Sequence, residues 1–346
     1  MKKILFIATG GTIASAETEN GLSPEITGEE LTSAIPEVKE ICEYDCMQLC
    51  NLDSTNLGPK HWLYIVEVIR DIYNSYDGFV ISHGTDTMAY TASALTYLMQ
   101  NLDKPVVITG SQYPVGAENS DAHKNLRDAF TAVCDENLKG VFVVFCGFVI
   151  AGCRARKMKS MSYDGFYSIN SDNVAEVRGG HLEYTEWFKT TLIKTLQTDD
   201  GDFEKAPPVF YNRLNPKVAV MKLIPGMKED VLEYLFTKND AVIIESFGAG
   251  GLPTSDEYDF ERVIQKANDE GKFTVIATQA LLDGTNLSTY EVGKKFRDEL
   301  SVLETYDMTI EAALSKLMWI LGQAFERKEV EKLFYTPVSG DINIKV

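Results

Sequence analysis

The stretch HGTDT, His83 to Thr87, follows the apolar run 79–81 and leads into a segment whose apolar residues recur at helical spacing. This change of pattern predicts a buried strand followed by a helix. Thr85 and Thr87 occupy positions typical of a helix N-cap, and Asp86 places a carboxylate beside backbone N–H groups that a helix start leaves unpaired. One junction of this kind is as typical of a capping loop as of a functional site.

A second junction of the same kind lies near the N-terminus. The apolar run 4–7 leads into TGGTIA, residues 9–14, so Thr12 also follows the end of a short strand. In open α/β sheets, ligands bind in the crevice beyond the carboxyl ends of the strands. The sequence therefore predicts that two hydroxyl-bearing loops share one cavity with Asp86.

The residue types in these two loops favour acyl transfer to water. A threonine hydroxyl needs a neighbouring base or charged group to become a nucleophile. Gly10 and Gly11 would let backbone N–H groups approach a developing oxyanion without obstruction by Cβ atoms. Dinucleotide binding is the competing use of a glycine turn after a first strand, but the loop lacks the G-x-G-x-x-G spacing.

Length and charge narrow the class of ligand. The chain has 346 residues, of which 45% are hydrophobic, and this size favours two domains. A formal net charge of −18 disfavours nucleic acids and acidic lipid surfaces, and favours a neutral or zwitterionic small molecule. Neither a signal peptide nor an apolar run of membrane-spanning length is evident, so we expect a soluble, cytoplasmic protein.

Cys42, Cys46 and Cys50 recur every four residues, which raises the question of a metal site. Metal-binding runs favour C-x-x-C spacing with further Cys or His partners, so we predict no metal and no cofactor. All six cysteines are predicted to be free thiols in a reducing compartment.

Strand and helix patterns alternate along most of the chain. They predict a larger N-terminal catalytic α/β domain (1–185), with a mainly parallel sheet and helices on both faces, a linker (186–214), and a smaller C-terminal α/β domain (215–346). Residues 15–28 are polar and aperiodic, which predicts a long loop that acts as a lid. Strands are predicted at 106–108, 140–149, 218–221, 241–246 and 274–277, and helices at 27–35, 59–72, 122–133, 228–236, 256–268 and 309–321.

A basic run, Arg154 to Lys159, stands out in this acidic protein. Taken alone it favours a solvated loop, and the alternative is a positive charge directed at a reaction centre.

TGGTIA at 9–14 together with HGTDT at 83–87 resembles the bacterial-type L-asparaginase family. Segments in family order extend the resemblance over nearly the whole chain: 53–55, 109–112, 157–168 and 246–250. The missing signal peptide makes the chain more similar to the cytoplasmic type I branch than to the secreted type II branch.

The resemblance implies hydrolysis of L-asparagine to L-aspartate and ammonia through a threonine acyl-enzyme. Thr12 would be the nucleophile, and Thr85, Asp86 and Lys157 would hold the water and manage protons. The implied substrate-binding residues are Gly11, Ser54, Thr55, Gly84, Thr85, Asp86 and Glu291. The resemblance also implies a homodimer or homotetramer with sites near the interface, where Glu291 of a neighbouring subunit would meet the substrate's ammonium group.

Two positions depart from the family pattern, and two alternatives stay open. Leu22 stands where many relatives have a tyrosine, and Gly251 stands where many have an asparagine. One alternative is an amidase subunit of a tRNA-dependent amidotransferase, although that subunit usually has an extra N-terminal domain and the charge of −18 disfavours direct contact with tRNA. The other is a catalytically silent sensor of amino acids.

Overall fold

The computed structural model describes residues 1–18, 21–186, 188–192, 206–289, 291–323 and 326–344. The chain divides into two compact units, Met1–Asn212 and Arg213–Val346. The predicted linker, 186–214, lies partly outside the described residues, so its limits stay a prediction.

The first unit carries the predicted alternation of strands and helices. Its strands are β1 (Lys3–Gly10), β2 (Ser15–Thr18), β3 (Gly21–Pro24), β4 (Glu43–Leu52), β5 (Gly78–Ser82), β6 (Met99–Gln100), β7 (Pro105–Thr109), β8 (Gly140–Phe145), β9 (Phe148–Ala151), β10 (Ala155–Lys157), β11 (Phe166–Ser168), β12 (Ala175–Arg178), β13 (His181–Tyr184) and β14 (Val209–Phe210). Its helices are α1 (Gly28–Ser33), α2 (Val38–Ile41), α3 (Pro59–Ile72), α4 (Met88–Leu98) and α5 (Ala122–Val133). Short 3₁₀ turns span Thr12–Ala14, Ser54–Asn56 and Tyr73–Ser75, and a π-helical turn spans Phe188–Leu192.

The main sheet has the strand order β13-β12-β9-β8-β7-β5-β1-β4. The strands from β8 to β4 in this order run parallel to one another, whereas β9, β12 and β13 extend the sheet in antiparallel pairs. The mainly parallel sheet is therefore confirmed. Because parallel strands end at the same edge of a sheet, the loops after β1, β4, β5 and β7 are neighbours.

Aromatic contacts show that helices cover both faces of this sheet. Phe6 on β1 packs against Phe130 on α5, with ring centroids 5.8 Å apart. Leu5 is in register with Phe79 on β5, so Phe79 points to the face opposite Phe6. Phe79 stacks on Tyr73, which follows α3, at 6.0 Å. Helices α3 and α5 thus lie on opposite faces.

The single strand predicted at 140–149 is wrong. The structure has an antiparallel hairpin of β8 and β9, which turns at Cys146 (φ 52°) and Gly147 (φ 86°). Both strands are almost wholly buried, so apolar residues continue through the first strand and resume directly after the turn. The hydrophobic pattern therefore hides the reversal.

The long aperiodic loop predicted at residues 15–28 is also wrong. Strands β2 and β3 form a two-stranded antiparallel hairpin, in which Ser15 pairs with Pro24 and Thr18 with Gly21. Helix α1 then begins at the predicted threonine cap, because Thr27 and Glu30 form a reciprocal capping box.

The second unit is a smaller α/β domain, as predicted, and its sheet is parallel. Its sheet has the order β15-β16-β17-β18, with every neighbouring pair parallel. The strands are β15 (Val218–Lys222), β16 (Ala241–Ser246), β17 (Phe273–Thr278) and β18 (Leu303–Glu304), and the helices are α6 (Glu229–Phe236), α7 (Phe260–Asp269), α8 (Glu291–Asp298), α9 (Ile310–Gly322) and α10 (Arg327–Tyr335). Sequence patterns did not predict β18, α8 or α10. No helix among the described residues is both long enough and apolar enough to span a bilayer.

Candidate active site

Glycines allow the loops after β1, β4 and β5 to lie in close contact. Gly11 has φ 82°, and a Cβ atom placed on it would lie 2.3 Å from the backbone nitrogen of Gly84. A Cβ atom on Gly84 would in turn lie 2.7 Å from the side chain of Ser54. Gly10 closes the same cluster, because its Cβ would lie 2.5 Å from the backbone nitrogen of Leu52. Larger residues at these positions would push the loops apart.

A buried chain of hydrogen bonds holds the HGTDT loop in place. Trp62 Nε1 donates to Thr91 Oγ1 (3.0 Å), which lies 2.9 Å from His83 Nε2. His83 Nδ1 lies 2.7 Å from the carbonyl oxygen of Gly84, which can only accept. Nδ1 therefore carries the proton, and Nε2 accepts from the Thr91 hydroxyl. Complete burial lowers the pKa of His83 to about 4, so the imidazole is neutral.

Lys157, Thr85 and Asp86 form a compact polar group beyond the end of β5. Lys157 Nζ donates to Thr85 Oγ1 at 2.7 Å and to Asp86 Oδ1 at 2.6 Å. Thr85 is 5% exposed, and the side chains of Lys157 and Asp86 are 16% and 59% exposed. The ammonium group is thus held between a buried hydroxyl and a carboxylate that reaches solvent.

The favoured interpretation of the basic run as a solvated loop is wrong for residues 154–157, whereas Lys159 is 41% exposed in the connection that follows. Arg154 is buried, and residues 155–157 form strand β10, which pairs with β11 so that Lys157 lies opposite Phe166. Strand pairing therefore fixes the position of the lysine. A short basic strand beside a turn has no hydrophobic periodicity, so its sequence cannot be distinguished from that of a loop.

Ser54 and Thr55 have different environments. Ser54 is 2% exposed, and its carbonyl oxygen accepts from Thr87 Oγ1 at 2.6 Å. Thr55 is exposed, and its hydroxyl donates to Asp53 Oδ1 at 2.8 Å within the same turn. Thr87 lies at the predicted N-cap of α4, but its hydroxyl binds Ser54 and makes no capping hydrogen bond. The structure thus brings Ser54 against the HGTDT loop.

Thr12 begins the 3₁₀ turn that follows Gly11. The carbonyl oxygen of Gly11 accepts from Ala14 N and from Ser15 Oγ, both at 3.0 Å, and these bonds hold the turn. Thr12 is partly exposed, and no side chain in the described part of the protein forms a hydrogen bond with its hydroxyl. Since Gly11 touches Gly84, Thr12 and Thr85 each follow one member of this glycine pair.

Gln112 is a site residue that was not among those predicted from the sequence. It follows β7, and its Oε1 accepts from Thr85 Oγ1 at 3.3 Å. The carboxylate of Asp121 accepts from the backbone N–H groups of Gln112 and Tyr113 at 3.0 and 3.1 Å. The feature of the sequence that could have indicated Gln112 is its position as a polar residue after a third parallel strand.

Glu291 belongs to the second unit and is the first residue of α8. Its side chain lies outside the described part of the structure, so its role stays a prediction.

Comparisons with known proteins extend over both units. The family model described as "Asparaginase, N-terminal" matches residues 3–189, and the model described as "Glutaminase/Asparaginase C-terminal domain" matches residues 217–334. An L-asparaginase of Thermococcus kodakarensis is 35% identical over 341 residues, which cover 98% of this chain and 99% of the relative. A glutamyl-tRNA(Gln) amidotransferase subunit of Pyrococcus furiosus is 34% identical over 351 residues, which cover 98% of this chain and 76% of the relative.

Solved structures give the same result. The structure of the thermostable L-asparaginase from Thermococcus kodakarensis superposes with a TM-score of 0.87 at 34% identity and covers 99% of this chain and 100% of that one. L-asparaginase I from Vibrio cholerae gives a TM-score of 0.83 at 29% identity, with 99% of each chain covered. The match of both family models and the full-length relative together show that this chain belongs to the asparaginase family.

Proposed function

We propose that this protein is an L-asparaginase, which hydrolyses L-asparagine to L-aspartate and ammonia through an ester on Thr12. The observation that carries the proposal is the Lys157–Thr85–Asp86 group beside the glycine contact that joins the Thr12 loop to the HGTDT loop. The full-length similarity to an L-asparaginase supports the same assignment.

In the first displacement, Thr12 Oγ attacks the carbon of the side-chain amide. The C–N bond breaks, ammonia leaves with the proton of the hydroxyl, and an aspartyl ester forms on Thr12. The backbone N–H of Thr12 is suited to stabilise the oxyanion, because Gly11 before it has no Cβ atom to obstruct the approach, whereas the N–H of Gly11 donates to the carbonyl oxygen of Leu52 at 3.0 Å.

In the second displacement, water attacks the ester carbon, the C–O bond to Thr12 breaks, a proton of the water returns to the Thr12 oxygen, and aspartate leaves. Thr85 is suited to orient this water, because Lys157 donates to its oxygen at 2.7 Å and keeps the hydroxyl in one position. A charge-assisted hydrogen bond of this kind is stronger than a neutral one. Asp86, whose side chain is 59% exposed, remains available for the α-ammonium group of the substrate. Ser54 is our candidate for the α-carboxylate.

Ammonia release from L-asparagine by the purified protein tests this function. Thr12→Ala and Thr85→Val should each abolish most turnover while the thermal unfolding midpoint stays near that of the wild type, because both side chains lie in loops. A wild-type protein that releases no ammonia from asparagine or glutamine would refute the proposal. Full activity of either variant would refute the two-threonine mechanism.

A second candidate function is that of an amidase component of a tRNA-dependent amidotransferase. The 34% identity to a glutamyl-tRNA(Gln) amidotransferase component from Pyrococcus furiosus supports it. The net charge of −18 disfavours contact with tRNA. Ammonia release from free asparagine without added tRNA favours the asparaginase, whereas activity that depends on tRNA and a second protein chain favours this alternative.

A further inference from the structure

Hydrogen bonds fix the orientation of the Gln112 side-chain amide. Its Nε2 donates to the carbonyl oxygens of Ser162 (2.8 Å) and Lys159 (3.4 Å). Because carbonyl oxygens only accept, the amide nitrogen must face them, and Oε1 must face Thr85. The backbone of Gln112 is held independently by the carboxylate of Asp121. Both ends of this residue are therefore anchored.

This orientation assigns the proton of the Thr85 hydroxyl. A hydroxyl group has one proton and two lone pairs. Lys157 donates to one lone pair at 2.7 Å, and Gln112 Oε1, at 3.3 Å, is the acceptor for the proton. The remaining lone pair is directed at neither neighbour. Thr85 can thus accept a hydrogen bond from water without first rotating its own proton away.

The same amide also holds the segment that follows the catalytic lysine. Residues 158–165 connect β10 to β11, and Gln112 binds the carbonyl groups of Lys159 and Ser162 within this connection. Gly165 leaves room for it, because a Cβ atom there would lie 2.7 Å from Gln112 Nε2. One side chain therefore links Thr85 to the connection that follows Lys157.

We propose that Gln112 is a positioning residue that sets the hydrogen-bond direction of Thr85, so that its free lone pair faces the attacking water. This inference rests on the proposed asparaginase function. The hydrogen bond from Thr85 Oγ1 to Gln112 Oε1 is long, at 3.3 Å, and such bonds often shorten when substrate binds.

The test compares Gln112→Met with Gln265→Met, a matched change at an exposed glutamine on α7. Gln112→Met should lower kcat for asparagine about tenfold, with KM changed less than about threefold, because the lost bond acts on chemistry and not on substrate binding. Gln265→Met should behave as wild type. A kcat within about twofold of wild type in Gln112→Met would overturn the inference.

Gly165→Ala supplies a variant in which Gln112 itself is intact. Its new methyl group must displace the Gln112 amide, so kcat should fall while KM is retained. In the Gln112→Ala background the methyl group has nothing to displace, and Gly165→Ala should have no further effect on kcat. If the two changes lower kcat independently, or if the losses are confined to KM and thermal stability, Gln112 only holds the connection between β10 and β11 in place. A wild-type protein without amidase activity would instead refute the proposed function, so the two failures can be told apart.

Discussion

Lys157 combines a small exposed fraction with two short hydrogen bonds, and its neighbour Lys159 does not. Only 16% of the Lys157 side chain is exposed, whereas Lys159 is 41% exposed and pairs with Asp164 at the surface. Two lysines two residues apart in one basic run thus differ in environment. The pairing of β10 with β11 ends at Lys157, so Lys159 lies beyond the strand, in the connection between the two.

Lys157→Met should therefore lower kcat by at least about tenfold, because a desolvated charge-assisted hydrogen bond contributes roughly 1.5–3 kcal/mol and ~1.4 kcal/mol corresponds to a factor of ten. Lys159→Met is the matched control and should retain wild-type kcat. Steady-state release of ammonia from asparagine measures both. Equal losses in the two variants would show that the net charge of the run, and not the Lys157 contact, supports turnover.

The support of the HGTDT loop depends on a neutral histidine. The pKa of His83 falls from 6.5 to about 4 because the imidazole is fully buried. The unfolded chain thus binds more protons than the folded one between these pH values. The contribution of His83 to the free energy of unfolding is fully present above pH 6.5 and is lost as the pH falls toward 4.

Acidification should lower the free energy of unfolding of the wild type by about 3 kcal/mol more than that of His83→Gln. The reason is that one pKa unit corresponds to about 1.4 kcal/mol. The variant has no imidazole to protonate. Urea unfolding of both proteins at neutral pH and near pH 4 measures the difference, and the exposed His181→Gln should follow the wild type. Parallel curves for wild type and His83→Gln would show that His83 does not carry the acid sensitivity.

The hairpin of β2 and β3 directly follows the Thr12 turn, and we predict that it acts as a lid. An isolated two-stranded hairpin is only marginally stable in water, which suits a segment that becomes ordered over bound substrate. Leu22 lies on β3 opposite Glu17. Leu22→Gly should raise KM and lower kcat together, whereas Leu22→Tyr should be tolerated and could raise kcat.

Hydrogen exchange of residues 15–28, with and without aspartate, is the companion measurement for the lid. Protection that depends on aspartate is expected there. Unchanged kinetics in both variants, with no protection by aspartate, would make the hairpin an inert surface feature.

Sequence patterns predicted the elements whose hydrophobic period is clear. Helix α3 begins and ends at the predicted residues, and so does α5, because each alternates an apolar face with a polar one. The hairpin of β8 and β9 was missed because burial on both faces removes any period. Thr12, Thr85 and Lys157 could be proposed from motifs, but Gln112 depends on a hydrogen bond to a carbonyl group 50 residues away, which no local pattern encodes.

The predicted role of Glu291 requires a second copy of the chain. If Glu291 of one subunit completes the site of its neighbour, Thr12→Ala and Glu291→Ala damage different halves of a shared site. Each variant alone should be inactive or nearly so. In a mixed dimer, one of the two sites would combine an intact Thr12 with an intact Glu291.

Mixing the two variants after reversible dissociation should restore about a quarter of wild-type activity, because about half of the dimers are mixed and each has one intact site. The size of the assembly is measured alongside by analytical ultracentrifugation. A mixture no more active than the mean of its components would place Glu291 outside any shared site.

The contact between Gly11 and Gly84 also bears on how this protein could be re-engineered. Because this contact involves only backbone atoms, no side chain lies between the Thr12 and Thr85 loops where Gly11 meets Gly84. A library of substitutions at the residues around these glycines would vary the side chains of the site while the two loops keep their relative position. A single methyl group added at Gly11 would instead displace both loops at once.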